Sequence, residues 1–316
     1  MHDKALPDDI IQRIHTLEEK YAAMGQDMRS YLDGLIHSDY LTYWDYTHLD
    51  VLLSLQNPRT TFPDEKIFIL YHQITELYFK LILNEIEQLA FSPGLTGEVF
   101  KLRIRRINNY FRHLTDSFSI MIDGMEKEQF LQFRMALLPA SGFQSAQYRM
   151  IEMASTDPHN LVAWSERDAL RQEPDFQVLL DNLYWQRGGR ELSTGRKTLT
   201  LRQFLAKYSK TFLELMDRYR DHHLLARYHS LPDGERDEEL TNLLRHFDQL
   251  ANVEWPLVHL KSAARYLNRD PDVIAATGGT NWQKYLPPVH QQLIFFPELW
   301  TEHQIRDWGK GTASGN

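Results

Sequence analysis

The sequence predicts an all-α protein, built as a single helical-bundle domain over residues 1–316. Three observations point there. Nearly every long segment carries apolar residues at helical spacing. No segment alternates apolar and polar residues over the length of a strand. No glycine-rich strand–turn–helix unit occurs, and no Pro/Ser/Gly linker is long enough to separate two domains.

The elements follow in order. After Pro7, the residues Ile10, Ile11, Ile14, Leu17 and Tyr21 make one stripe of a first helix. "YLTYWDYTHLDVLLSLQ" is aromatic-rich and then helical through Leu49, Val51, Leu52 and Leu55. "NPRTTFPDE" reads as a turn, with Asp64 and Glu65 suited to the positive end of the next helix dipole. Lys66 to Leu89 is then a helix of about six turns. "FSPGLTGE" ends it, and helix resumes from about Glu98 to Met121. Beyond Gly124, "MEKEQFLQFRMALL" is a short helix stopped by Pro139. Ser141 and Gln144 have capping-box spacing ahead of a helix in "SAQYRMIEMA". "STDPHN" reads as a loop, and "WQRGGRELSTGRKT" as an exposed, flexible connection within an irregular region, 160–200. "LTLRQFLAKYSKTFLELMDRYRDHHLLARYHSL" is helical, as is "DEELTNLLRHFDQLANVEWPLVHLKSAARYL", in which Pro256 deletes a helical hydrogen bond and predicts a kink. The tail has turns and little periodicity.

Composition narrows the chemistry. There are no cysteines, which removes disulfides, zinc thiolates, iron–sulfur clusters and the Cys-x-x-Cys-His attachment of haem. The formal net charge is −8, so nothing suggests nucleic-acid binding. The most basic run, Lys101 to Leu114, interleaves its charges with apolar residues and reads as the solvated face of a helix. No apolar run is long enough to span a bilayer, and the N-terminus has no signal-like architecture, so a soluble cytoplasmic protein is the expectation.

Two histidines stand on apolar helix faces. His72 has Phe68, Leu70 and Tyr71 around it; His259 follows Trp255 by one turn, with Ala263 and Tyr266 on its face. A buried, satisfied ring is the ordinary explanation of such a residue. The alternative is a ligand for haem iron in a helical bundle, where the small Ala263 leaves room for a flat macrocycle. Non-haem metal finds less support: no Glu-x-x-His pair occurs, and the adjacent His222 and His223 point to different helix faces. No Gly-x-Ser-x-Gly elbow supports hydrolysis. Arg134, after Phe130 and Phe133, needs an anionic partner, either a carboxylate of the bundle or that of a substrate. "TGGTN", Thr277 to Asn281, is a donor-rich turn that reads as a loop or as a wrap for a small polar ligand.

Together these segments resemble the tryptophan 2,3-dioxygenase family over roughly Leu41 to Leu286. The blocks are "LTYWDYTHLDVLLSLQ", "FILYHQITELYFK", "FRMALLPASGFQSAQYRMIE" and "WPLVHLKSAARYL…TGGTNWQKYL". The second and third are specific, through HQ-x-x-EL-x-x-K and P-x-SGFQS-x-Q-x-R-x-IE. The resemblance implies an all-helical homotetramer with haem b, inserting O₂ across the indole C2–C3 bond of L-tryptophan to give N-formyl-L-kynurenine. By position, His259 matches the axial iron ligand and His72 the histidine facing the indole N–H. Phe68 matches the indole pocket, Arg134 the grip on the substrate carboxylate with Phe130 packed beside it, and Ser141 and Gly142 the haem and substrate edge. Thr277 matches a contact to the amino-acid end. Tyr43 and Tyr46 match aromatics given to a neighbouring subunit, so residues 1 to about 50 are expected to serve a partner copy.

This chain departs from the pattern. Pro256 stands where the family commonly has another residue. Extra residues near "NRDPD" separate His259 from Thr277, and "TGGTNW" replaces a more Gly/Ser-rich version. These changes bear most on the Thr277 contact and leave room for a different aromatic substrate. Two other readings stand beside the dioxygenase: a related haem enzyme placing one oxygen on an indole or phenol amino acid, and a haem sensor or carrier. A carrier needs only His259, so His72 and Arg134 argue against it.

Overall fold

The computed structural model describes residues 6–38, 42–137, 143–191, 194–267 and 287–310. Among these the protein is helical, with two isolated β-bridges, Val162 to Leu183 and Arg190 to Lys197, as the extended pairing. None of its described helices is long and apolar enough to cross a membrane. The chain forms two compact units, residues 1–56 and 57–316.

The first unit holds α1 (Asp8–Ala23), α2 (Met28–Ile36) and two one-turn helices, α3 (Tyr43–Tyr46) and α4 (Leu49–Leu53). Asp27 caps α2 by accepting from the N–H groups of Arg29 and Ser30. Rings of Tyr21 and Tyr31 meet at 4.5 Å between α1 and α2. Tyr43 and Tyr46 are 71% and 75% exposed.

The second unit is built around α5 (Asp64–Phe91) and α6 (Gly97–Ser117). The α5 helix is longer than the six turns its periodicity predicts, because Asp64 and Glu65 already belong to it. Ile82, Ile86 and Leu89 of α5 and Phe100, Ile104, Ile107, Phe111 and Leu114 of α6 lie in one fully buried cluster. Such burial is worth roughly 1.5–3 kcal/mol per side chain and drives the pairing. Arg103 and Arg106 of α6 reach Glu85 of α5 at 2.8 and 3.3 Å. Helix α6 ends at Ser117, earlier than expected; Ser119–Asp123 forms the separate α7. Lys127–Phe133 is α8, continued by a 3₁₀ turn at Arg134–Leu137.

Helix α9 (Ala146–Ser155) is capped by Ser145, whose hydroxyl accepts from the Tyr148 N–H at 3.2 Å. Ser145 therefore does the work expected of Ser141, which lies outside the described residues. "DPHN" is a helical turn rather than a loop: α10 (Pro158–Leu161) starts with proline and has Asp157 as its cap. Short helices α11 (Trp164–Arg167), α12 (Phe176–Asp181) and α13 (Tyr184–Arg187) follow. The segment expected to be an exposed connection is partly core: Trp185 and Gln186 are buried, and Gly189 lies so close to Leu201 and Phe143 that a Cβ would collide.

Next come α14 (Leu199–Tyr219) and α15 (Leu224–His229), which are separate helices. Then α16 (Glu238–Gln249) passes through a π-helical turn, Leu250–Glu254, into α17 (Trp255–Leu267). Thus Pro256 sits at the second position of α17, directly after this π turn. Buried Asp248 ties the C-terminal segment to α16. It accepts from the N–H groups of Phe295 and Phe296 and from the indole of Trp300, at 2.7, 3.1 and 3.0 Å, and from Asn252 at 2.7 Å. Burial raises its pKa to about 6 against the pull of those donors.

His223, weighed with His222 as a metal ligand, caps α15 instead. Its Nδ1 accepts from the Ala226 N–H at 3.1 Å, so the ring must be neutral there. Burial pushes its pKa down from 6.5 to about 4, partly opposed by Asp157 and Asp221. The unfolded chain then takes up the proton first, so this stabilisation is present above pH 6.5 and is lost as pH falls toward 4. Replacing His223→Asn keeps an acceptor that does not titrate. The difference in unfolding free energy between wild type and variant should shift by up to about 1.4 kcal/mol per pH unit in that window. Denaturant titrations at several pH values check it; a pH-independent difference refutes it.

Candidate active site

Helices α5, α8 and α17 bring Phe68, His72, Phe130 and His259 of the predicted residues near one another. His72 leaves α5 with its Nδ1 2.7 Å from the carbonyl of Phe68, one turn back. A carbonyl only accepts, so Nδ1 carries the proton and Nε2 keeps a lone pair. The Phe68 ring lies against the imidazole, centroids 4.0 Å apart. His72 keeps an open face to water, yet enough protein surrounds it that desolvation lowers its pKa; the Phe68 carbonyl and the charge of Glu76 oppose the shift. Glu76, one turn on, accepts from Gln147 of α9 at 2.9 Å, and its backbone carbonyl accepts from the same amide at 2.8 Å.

His259 repeats this arrangement on α17. Its Nδ1 lies 3.0 Å from the Trp255 carbonyl, so Nε2 is again the free nitrogen. Burial lowers its pKa to about 4, with the Trp255 carbonyl opposing and His72 reinforcing the shift. The two histidines therefore lie within electrostatic reach of each other, and His259 is neutral at physiological pH. Its ring packs against Trp255 at 4.3 Å and Phe118 at 4.5 Å. Ala263, one turn further along α17, is half-exposed.

An aromatic chain joins the two. Tyr71, next to His72, meets Phe118 at 5.5 Å, and Phe118 meets both Trp255 and His259. Phe118, at the junction of α6 and α7, carries no sequence signal: it stands where one helical period breaks and another starts. On the other side, Phe68 meets Phe130 at 6.3 Å and Phe133 at 5.8 Å, both from α8. Arg134 directly follows Phe133 and is half-buried at the start of the 3₁₀ turn, where burial lowers its pKa. Tyr266 closes this side. It packs on Phe130 at 4.5 Å, and its hydroxyl donates to the Met121 carbonyl at 2.6 Å.

Ser141, Gly142 and Thr277 lie outside the described residues. Tyr43 and Tyr46 belong to the first unit. Among the described residues, no three His, Asp or Glu side chains cluster to hold a metal ion. His222 and His229 also have separate tasks, His222 stacking on Phe91 and His229 meeting Glu298 at 2.8 Å.

The donor set suits haem. A neutral imidazole such as His259, its Nδ1–H held by a backbone carbonyl and its Nε2 free, would suit ligation of haem iron, with the hydrogen bond raising its basicity. Small Ala263 beside it and aromatic walls around it suit a flat apolar group.

The family model described as tryptophan 2,3-dioxygenase matches residues 34–172. A tryptophan 2,3-dioxygenase of Herpetosiphon aurantiacus is 31% identical over 274 residues, covering 83% of this chain and 97% of the relative. The chain belongs to the tryptophan 2,3-dioxygenase family. The enzyme of that name from Bacillus thuringiensis subsp. konkukian is 28% identical over 292 residues, 88% of this chain and 98% of its own length. One from Ruegeria sp. is 40% identical over 117 residues, 36% of this chain and 41% of the relative.

Removing the Tyr266 hydroxyl tests the wall that holds Phe130. Tyr266→Phe strands the buried Met121 carbonyl, and should cost about 1–3 kcal/mol of stability. Denaturant unfolding measures it; a change below about 0.5 kcal/mol would show that the bond does not hold α17 to α7.

Proposed function

We propose that this protein oxidises L-tryptophan with O₂ to N-formyl-L-kynurenine, using haem b, as its family relatives are named for. The C2–C3 bond of the indole breaks, and each of the two carbons takes one oxygen atom, so both atoms of O₂ end in the product. The observation carrying this reading is the matched pair His72 and His259: two neutral imidazoles, each with Nδ1–H tied to a carbonyl one turn back and Nε2 free.

His259 would hold the iron through Nε2. The haem supplies the activation of O₂. His72 Nε2 is a weak base with a lone pair, suited to accept a hydrogen bond from the indole N–H and orient the ring. Phe68 and Phe130 wall the indole and keep water from it. Arg134, at the end of α8, binds the substrate carboxylate through its guanidinium fork, so C2 and C3 are fixed in position. Ser141 and Gly142 would line the haem and substrate edge, and Thr277 would contact the amino-acid end. Tyr43 and Tyr46 would close the pocket of a neighbouring copy in a homotetramer. The outward-facing apolar side chains in the first unit, Leu53 and Leu55 among them, and Ile74, Leu77 and Leu81 along one face of α5 support self-association.

Purified ferrous protein with O₂ and L-tryptophan should develop the absorbance of N-formylkynurenine. A product heavier by one oxygen atom, or no product, overturns the reading. His259→Ala should lose haem, and a variant with an unchanged haem spectrum refutes the ligand assignment. Arg134→Ala should keep haem while kcat/KM for L-tryptophan falls by about 2–5 kcal/mol of transition-state binding. Equal affinity of the unmutated protein for tryptophan and for its decarboxylated amine would refute the role of Arg134.

A further inference from the structure

The π turn ahead of His259 contains a broken hydrogen-bond ladder. Trp255 N–H donates to the carbonyl of Leu250, five residues back. The next bond in that register would run from residue 256 to the carbonyl of Ala251. Residue 256 is proline and has no N–H. Ala251 is fully buried, so bulk water cannot supply the missing donor. An unsatisfied carbonyl here would cost about 1–3 kcal/mol.

A side chain from another helix reaches that carbonyl. The Tyr148 hydroxyl, in the first turn of α9, donates to Ala251 O at 2.7 Å. Its ring is 6% exposed and held on several sides. Phe79 packs on it at 5.3 Å, and the Arg149 guanidinium lies 4.7 Å over its face. Burial raises its pKa far above that of an ordinary phenol, so the hydroxyl stays a donor. The contacts continue toward the site. Phe79 also meets Trp255 edge-on at 5.8 Å, and the Trp255 carbonyl holds His259 Nδ1.

We propose that the Tyr148 hydroxyl replaces the backbone donor that Pro256 removes, and that this bond positions the turn carrying Trp255 and His259. Tyr148 is thus a positioning residue, acting through the Ala251 carbonyl. The replacement stands on the helix geometry alone; the effect on His259 as a ligand rests on the functional reading above.

Four proteins test it: wild type, Tyr148→Phe, Pro256→Ala and the double variant. Unfolding is measured first on haem-free protein. Tyr148→Phe should raise the unfolding equilibrium constant about 10- to 100-fold in the Pro256 background. In the Pro256→Ala background, where residue 256 has an N–H again, the same change should raise it less than about threefold. Equal effects in both backgrounds overturn the replacement; Pro256→Leu runs the same cycle should Pro256→Ala fail to fold. The second measurement is the iron–histidine stretching band of the ferrous, haem-loaded proteins. Tyr148→Phe should shift or broaden it in the Pro256 background only. Coupled stabilities with an unmoved band overturn the positioning of His259 and leave the replacement standing. A protein that takes up no haem overturns the functional reading and the positioning claim together, while the unfolding cycle still decides the replacement.

Discussion

Each candidate histidine depends on one hydrogen bond to its own helix. The carbonyl one turn back accepts Nδ1–H, at 2.7 Å for His72 and 3.0 Å for His259. That bond decides the tautomer, the ring orientation and which nitrogen faces a ligand. Desolvation then keeps both rings neutral. A protonated imidazole has no lone pair to offer a metal or a hydrogen-bond donor, so desolvation and tautomer together leave each ring one free acceptor nitrogen.

The carbonyls are only as well placed as the helices that carry them. Several aromatic rings pack beside them. Phe118 touches His259 and Trp255, and Phe68 touches His72, Phe130 and Phe133. Aromatic rings bring large contact area with few rotatable bonds, which suits a wall that must keep its shape. The polar bonds in this wall serve as pins: Tyr266 to α7, Gln147 to Glu76 and Tyr148 to Ala251. The C-terminal segment is pinned likewise through Asp248, two residues before the π turn. An irregular backbone stretch next to the site is therefore fastened by side chains from both sides.

Much of this was legible beforehand. Helical period located α5, α6, α14, α16 and α17, because long amphipathic segments repeat the same constraint many times. The lone histidines were visible as exceptions to an apolar pattern. Short elements were not. The α10 turn at "DPHN" rests on a proline-first, Asp-capped geometry too brief to show a period, and Ser145 rather than Ser141 proved to be the cap of α9. Trp185 and Gly189, read as part of an exposed connection, are buried because α14 and Phe143 pack onto them.

By itself, the sequence determined the helical class, the two singular histidines, the arginine after a pair of phenylalanines, and the proline three residues before His259. Those are properties of residue type and local spacing. Only the tertiary structure decided which nitrogen of each histidine is free, which rings bridge α5 to α17, and where the Ala251 carbonyl finds a donor. Each of these joins residues far apart in the chain or depends on atomic direction, and local spacing encodes neither. Tyr148 and Ala251 lie 103 positions apart.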